Sequence, residues 1–265
     1  MQTFSQGGLN VTAEAGIVRL QFNRPERLNA IDVAMAEAFN VACQSIASDH
    51  SVRVVVMCGA GRAFMAGGDL NTFHAAAARA DDTARAIIDP LHAGLAILAD
   101  INAPVIAGLQ GAVAGAGVSL ALAADLAIAA DDARFTLAYA KIGASCDGSS
   151  SWSLPRVVGL RRALEIALLA DPLDASTALA FAMVNRVVPA AHLAAEVEAL
   201  ARRLASGPTL AYGKIRRLLR TSFERDLAGQ MNAERDAFCE SARTQDFAEG
   251  VAAFLGKRTV RFEGK

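Results

Sequence analysis

Apolar and polar positions alternate over residues 9–13 and again over 17–22, separated by Glu14, Ala15 and Gly16, which predicts an antiparallel hairpin. Asp32 then precedes Met35, Phe39 and Ile46 at helical spacing, so a helix capped by Asp32 is predicted to about residue 48. Residues 53–58 are a short β-branched run and read as a buried strand. Helical patterns from Asp69 onwards and over 84–99 are predicted to be separated by the polar break Ala80-Asp81-Asp82. Next come a strand over 103–107, a buried helix from about Gly117 and a strand over 126–129. From Leu154 the pattern is helical, apart from a strand-like 184–188. Pro189 and Pro208 punctuate predicted helices over 191–205 and 209–221, followed by 226–241 and 245–255. Repeated strand–helix–strand order predicts the α/β class, with a core over residues 1–200 and a helical region over 201–265.

Two turns rich in small residues interrupt this pattern. The first is Ala66-Gly67-Gly68-Asp69-Leu70 and the second is Gly111 to Gly117, each after an apolar strand and before a helix. Gly and Ala leave the main chain bare, so another molecule can approach its N–H groups. Two N–H groups aimed at one point, one backed by a helix N-terminus, would stabilise a negative oxygen. The second turn has the spacing Gly-x-x-x-Gly-x-Gly, which is not the dinucleotide fingerprint, and no Gly-Lys-Ser/Thr phosphate loop occurs.

Composition narrows the function classes. Charged residues are 20% and hydrophobic residues 53%, an apolar balance that suggests extra buried surface such as a subunit interface. The net charge of −1 implies no overall attraction to nucleic acid or to an anionic membrane. Residues 111–130 approach membrane-span length, but they are mostly Ala and Gly, and Asp125 would be costly in hydrocarbon. Cys43, Cys58, Cys146 and Cys239 are scattered without metal-ligand spacing, and the first ten residues lack an export pattern. Reduced thiols in the cytoplasm are therefore expected, with Cys43 and Cys58 as buried thiols. His50, His74, His92 and His192 show no pairing that suggests a metal; His74 and His92 either touch substrate or serve the surface and packing.

Taken in order, the segment Asn23-Arg24-Pro25-Glu26-Arg27-Leu28-Asn29-Ala30, the two turns and the ending Phe254-Leu255-Gly256-Lys257-Arg258 resemble the crotonase (enoyl-CoA hydratase/isomerase) superfamily. The resemblance implies a spiral of ββα repeats, a helical C-terminal trimerisation region, and homotrimers that often stack as hexamers. It implies an acyl-CoA thioester substrate and no cofactor beyond the coenzyme A of that substrate. Gly68 and Ala116 would be the oxyanion N–H donors, although the family usually has Gly where this chain has Ala116. Glu26, Arg27, Leu28, Ala66, Asp69 and Leu70 would line the coenzyme A groove, and Phe254 with Lys257 would reach a neighbouring subunit's nucleotide. For Arg27 and Lys257, solvated surface charge is the plain alternative.

The hydratases of this family resemble one another in using two glutamates. Ser119 and Tyr139 occupy those positions here, so neither carboxylate is present, and both are assigned to substrate binding. Asp147, in Cys146-Asp147-Gly148, matches the lone acid of isomerase members, including the ring-opening isomerases of phenylacetyl-CoA breakdown. One carboxylate suffices to take a proton from one carbon and return it to another. The plain reading of Asp147 is a turn residue, since Asp-Gly followed by serines favours turns. Chlorobenzoyl-CoA dehalogenases, which use an Asp at this place as nucleophile, are a related branch. The expectation is an enoyl-CoA isomerase, with a hydratase or a non-catalytic acyl-CoA-binding protein as alternatives.

Overall fold

The computed structural model describes residues 3–265. Strand β1 (Phe4–Gln6) precedes the expected hairpin, β2 (Leu9–Glu14) and β3 (Ile17–Phe22), whose antiparallel register pairs Leu9 with Phe22 and Glu14 with Ile17. Helix α1 (Val33–Ser48) begins where the Asp32 carboxylate accepts the Met35 N–H at 3.0 Å, the cap that the sequence announces. β4 (Val54–Gly59) pairs in parallel with β3. Helices α2 (Leu70–Ala75) and α3 (Ala80–Asp100) follow. Asp81 and Asp82, expected as a break, form the first turn of α3, where their negative charge suits the positive end of the helix dipole.

Three repeats then build the centre of the fold. β4 leads to Met65, which bridges Val113, and then to α2. β5 (Val105–Leu109) leads to β6 (Ala112–Ala114) and α4 (Ala116–Ala123). β7 (Leu126–Ala130) leads to β8 (Arg134–Thr136) and α5 (Ser150–Val158). The first strand of each repeat joins the large sheet, of order β1-β2-β3-β4-β5-β7-β10, where β10 is Arg186–Val188. The second segments lie on a small sheet, β6-β8-β9, completed by β9 (Leu173–Asp174). β6, β8 and β9 were not anticipated: two or three residues carry too little periodicity to signal a strand.

The large sheet is covered on both faces. Val55 and Met57 enter the main core with α1 and α3, while Val54 and Val56 point the other way, towards Leu193, Val197 and Ala201. Those three belong to α8 (Leu193–Ala205), which follows α6 (Leu160–Leu169) and α7 (Ala175–Ala180). α8 therefore crosses the expected boundary at residue 200 while sealing the sheet. The chain ends with α9 (Thr209–Arg220), α10 (Leu227–Ser241) and α11 (Gln245–Leu255). α9 is tied to the core by Asp125, which pairs with Arg216 at 2.6 Å and Arg220 at 2.8 Å. Cys43 is fully buried; Cys58 is partly buried, and burial pushes its thiol up to about 11 against the opposing charge of Arg19. No helix among the described residues is long and apolar enough to cross a membrane.

A buried knot joins the 23–30 segment to the first small-residue turn. Asn29 is fully buried; its amide donates to the carbonyls of Ala60 (2.9 Å), Ala63 (2.8 Å) and Phe64 (3.2 Å), and its side-chain oxygen accepts the Arg24 N–H at 2.9 Å. Arg24 in turn pairs with Asp32 at 2.9 Å and Asp69 at 3.0 Å. Asn29→Ala would leave several buried carbonyls without a donor, and a loss of about 2 kcal/mol is expected. The midpoint of urea denaturation reads it; an unchanged midpoint would contradict the role given to this knot.

Candidate active site

The knot holds the first turn, and the second turn packs directly against it. Met65 donates its N–H to the Ala112 carbonyl (3.1 Å) and accepts the Ala114 N–H (2.8 Å), so the two segments run side by side. One step further on, Gly67 meets Gly115: a Cβ on either would lie within 3.6 Å of the other's Cα. Their φ angles, 101° and 50°, lie in the region that favours glycine. The chain thereby places the next residues, Gly68 and Ala116, on neighbouring strands of backbone.

Both of these N–H groups are unused. Ile31 donates to the Gly67 carbonyl at 2.8 Å and accepts the Asp69 N–H at 2.8 Å, a parallel bridge that turns the amide of Gly68 away. Ala116 is the first residue of α4, where an amide has no intrahelical acceptor. Among the described residues, neither N–H donates a hydrogen bond. Ala116 lies in the helix with no positive φ, so its methyl group brings no backbone strain where the family usually has Gly.

Asp147 lies between a 3₁₀ turn, Ala138–Ile142, and α5. Its carboxylate accepts a short hydrogen bond from the Tyr139 hydroxyl. Ser119, fully buried on α4, lies 3.0 Å from the Tyr139 hydroxyl and 3.0 Å from the Asp147 carbonyl. Ser150 donates to that same carbonyl at 2.8 Å. The two side chains at the vacant glutamate positions thus converge on Asp147. Burial raises the Asp147 carboxyl above the usual carboxylate range, opposed by the Tyr139 hydrogen bond. The phenol of Tyr139 is itself pushed up, chiefly by burial and then by the Asp147 charge, so it is a proton donor to the carboxylate at all ordinary pH.

His92 lies on α3. Its Nε2 accepts the Gly148 N–H at 3.0 Å, one residue beyond Asp147. An accepting Nε2 carries no proton, so the ring is the Nδ1–H tautomer in this arrangement. Ser149 adopts φ 68°, a left-handed conformation uncommon for serine. His74 is exposed on α2. No group of three or more His, Cys, Asp or Glu among the described residues could hold a metal ion.

The remaining site residues fall into two groups. Glu26 and Arg27 are exposed on a 3₁₀ turn, Pro25–Arg27, and the Leu28 carbonyl accepts the Ala66 N–H at 3.0 Å, joining this segment to the first turn. Asp69 is buried and caps α2 through the Asn71 N–H; burial raises its carboxyl, but hydrogen bonds from Arg24 and Asn71 outweigh this and hold it low. Leu70 is exposed beside it. Phe254 and Lys257 are exposed at the end of α11, and no hydrogen bond or ion pair joins them to residues 26–28. The structural roles of Arg24 and Asn29 went unread in the sequence, although the motif contained both.

A spiral of ββα repeats carrying two idle amides and a half-buried acid defines an acyl-CoA enzyme scaffold, and the chain belongs to the enoyl-CoA hydratase/isomerase (crotonase) family. The family's sequence pattern matches residues 12–265. The chain is 37% identical to a 1,2-epoxyphenylacetyl-CoA isomerase of Escherichia coli K12, covering 95% of this chain and 97% of that one. It is 33% identical to 4-chlorobenzoyl coenzyme A dehalogenase-2 of an Arthrobacter species, over 97% of this chain and 94% of the relative. Among solved structures it matches an enoyl-CoA hydratase from Polaromonas sp. JS666 with a TM-score of 0.91 and 32% identity, covering 96% and 99% of the two chains.

The electrostatics of Asp147 carry a sign that can be measured. Because burial raises the folded-state value, folding favours the protonated carboxyl. That contribution to stability is complete below the unfolded value of about 3.9 and is lost as pH rises through the raised one. The carboxyl-carbon shift of labelled aspartate should therefore titrate above an exposed aspartate. Tyr139→Phe removes a donor to the charged form and should move the titration further up. A downward shift, or none, in Tyr139→Phe would contradict the assigned hydrogen bond.

Proposed function

We propose that this protein is an enoyl-CoA isomerase that works through one carboxylate. The observation that carries the proposal is the closure of Ser119 and Tyr139 onto Asp147, next to two unoccupied amides. In this reading the thioester oxygen accepts the N–H groups of Gly68 and Ala116. Asp147 removes a proton from C2 of a 3-enoyl ester, the electron pair moves to the thioester oxygen as a dienolate, and the same proton returns at C4. Tyr139 holds one carboxylate oxygen and leaves the other free to carry the proton. A well-placed general base of this kind contributes roughly two to four powers of ten in rate. The similarity to an epoxyphenylacetyl-CoA isomerase supports ring opening of an epoxide ester as a second isomerisation to test.

Hydration has less support. Adding water across a double bond calls for a group that activates the water, and no second carboxylate hydrogen-bonds into the Asp147 cluster among the described residues. Coenzyme A is read as part of the substrate, lying along Glu26–Leu28 and Ala66–Leu70. Exposed Leu219, Phe223, Leu227, Met231, Phe238, Phe254 and Leu255 on and between the last three helices suit contacts between copies. We read these as the surface of a homotrimer or hexamer, and sedimentation at the monomer mass would contradict that reading.

The reaction is tested by incubating 3-enoyl, 2-enoyl and epoxyphenylacetyl esters in D₂O with wild type and Asp147→Asn, followed by mass spectrometry and proton NMR. Double-bond migration or ring opening by the wild type, reduced about 100-fold or more in Asp147→Asn, is expected. Mass gain from added water, unaffected by the substitution, would point instead to a hydratase with another base.

A further inference from the structure

Asp147 stands at the end of a loop that does little to fix it. Residues 143–145 are exposed, a Cβ at Gly143 would meet nothing within 4 Å, and Ser145 and Cys146 make no hydrogen bond among the described residues. The acid is held instead by the peptide that follows it. Its carbonyl accepts the Ser119 hydroxyl at 3.0 Å, the Ser150 hydroxyl at 2.8 Å and the Ser150 N–H at 3.1 Å. On the opposite edge of the same planar peptide, the Gly148 N–H donates to His92 Nε2 at 3.0 Å.

Gly148 is buried, with φ 56°, and a Cβ there would lie 2.7 Å from the Ser119 Cβ, so the peptide is pressed against α4. A buried amide requires an acceptor, and His92 is the one this amide has among the described residues. The imidazole is carried by α3 between Leu91 and Leu95, both buried in the main core, whereas His92 itself is exposed. Packing is therefore not its contribution; the ring nitrogen is. A peptide gripped on both edges fixes ψ of Asp147 and the direction in which its carboxyl projects.

We propose that His92 is a positioning residue for the acid. With Ser119 and Ser150 on the other edge, it sets the peptide plane from which the Asp147 carboxylate reaches Tyr139 with one oxygen and the substrate with the other. The proposal rests on the one-carboxylate isomerase reading, in which a displaced base loses rate rather than ester affinity.

The test uses His92→Leu, which removes the acceptor, and His92→Gln, whose Oε1 can replace Nε2. With a 3-enoyl-CoA ester, His92→Leu should lower kcat about tenfold and leave KM within about twofold, while His92→Gln should keep kcat within about threefold of wild type. Hydrogen-exchange mass spectrometry is read in parallel over residues 144–149. Uptake there should quicken in His92→Leu and stay at the wild-type rate in His92→Gln. An unchanged kcat in His92→Leu would overturn the proposal. So would a kcat in His92→Gln as low as in His92→Leu, since the imidazole would then act by its own chemistry and not as an acceptor. Should the wild type isomerise no ester, the catalytic reading fails and hydrogen exchange alone judges the grip: faster uptake in His92→Leu only supports it, and equal uptake in all three proteins overturns it.

Discussion

The contact of Gly67 with Gly115 is the constraint on which the site depends. Two backbone turns approach until a single methyl group would fill the gap between them, and both glycines have positive φ. This close approach sets Gly68 and Ala116 side by side with their amides unspent. Everything around it serves to hold the contact: the Met65–Val113 bridge from one side, and Asn29 with Arg24 from the other. A methyl at Gly67 would press on the Ala114 carbonyl at 3.2 Å, and at either glycine the positive φ would strain a larger residue. The hydrogen-bonding capacity offered to a ligand is thus purchased by main-chain geometry, and side chains enter only as scaffolding.

Against this fixed pair of donors, Asp147 is a balance of opposing forces. Burial favours its neutral form, while the hydrogen bond from the phenol of Tyr139 favours its charge. A carboxyl held between these influences can both accept and release a proton near neutral pH more readily than an exposed one. Ser119 and Tyr139 occupy positions where related hydratases resemble one another in having glutamates, and here they spend their hydroxyls on Asp147 itself. The loss of two acids and the support of a third are the same structural event. His92 closes the other side of the loop by accepting the Gly148 amide.

Much of the large sheet and nearly all of the helices were legible in the sequence because their signals are local. Period-two alternation announced β2 and β3, Asp32 announced α1, and the last four helices were readable from proline punctuation and spacing. The small sheet was not, since β6, β8 and β9 are defined by their partners rather than by their own pattern. Asp81 and Asp82 looked like a break because polarity alone does not distinguish a loop from a helix's first turn. In the site, the glycine turns and Asp147 could be picked out by type and order. The Tyr139–Asp147 bond could not, because the two residues are eight apart across a 3₁₀ turn and a loop, and only the fold decides that they meet. Nor could the use of Asn29, whose three acceptor carbonyls lie more than thirty residues away.

The central claim is that Asp147 removes a C2 proton while Gly68 and Ala116 hold the resulting enolate. Its most direct test is the exchange of C2 protons of a saturated acyl-CoA in D₂O, followed by proton NMR, because exchange requires the enolate and nothing downstream of it. Wild-type protein should wash out the C2 signal while the ester stays intact, and Asp147→Asn should leave it untouched. Retained exchange in Asp147→Asn, or none in the wild type under conditions where the ester binds, would contradict the account.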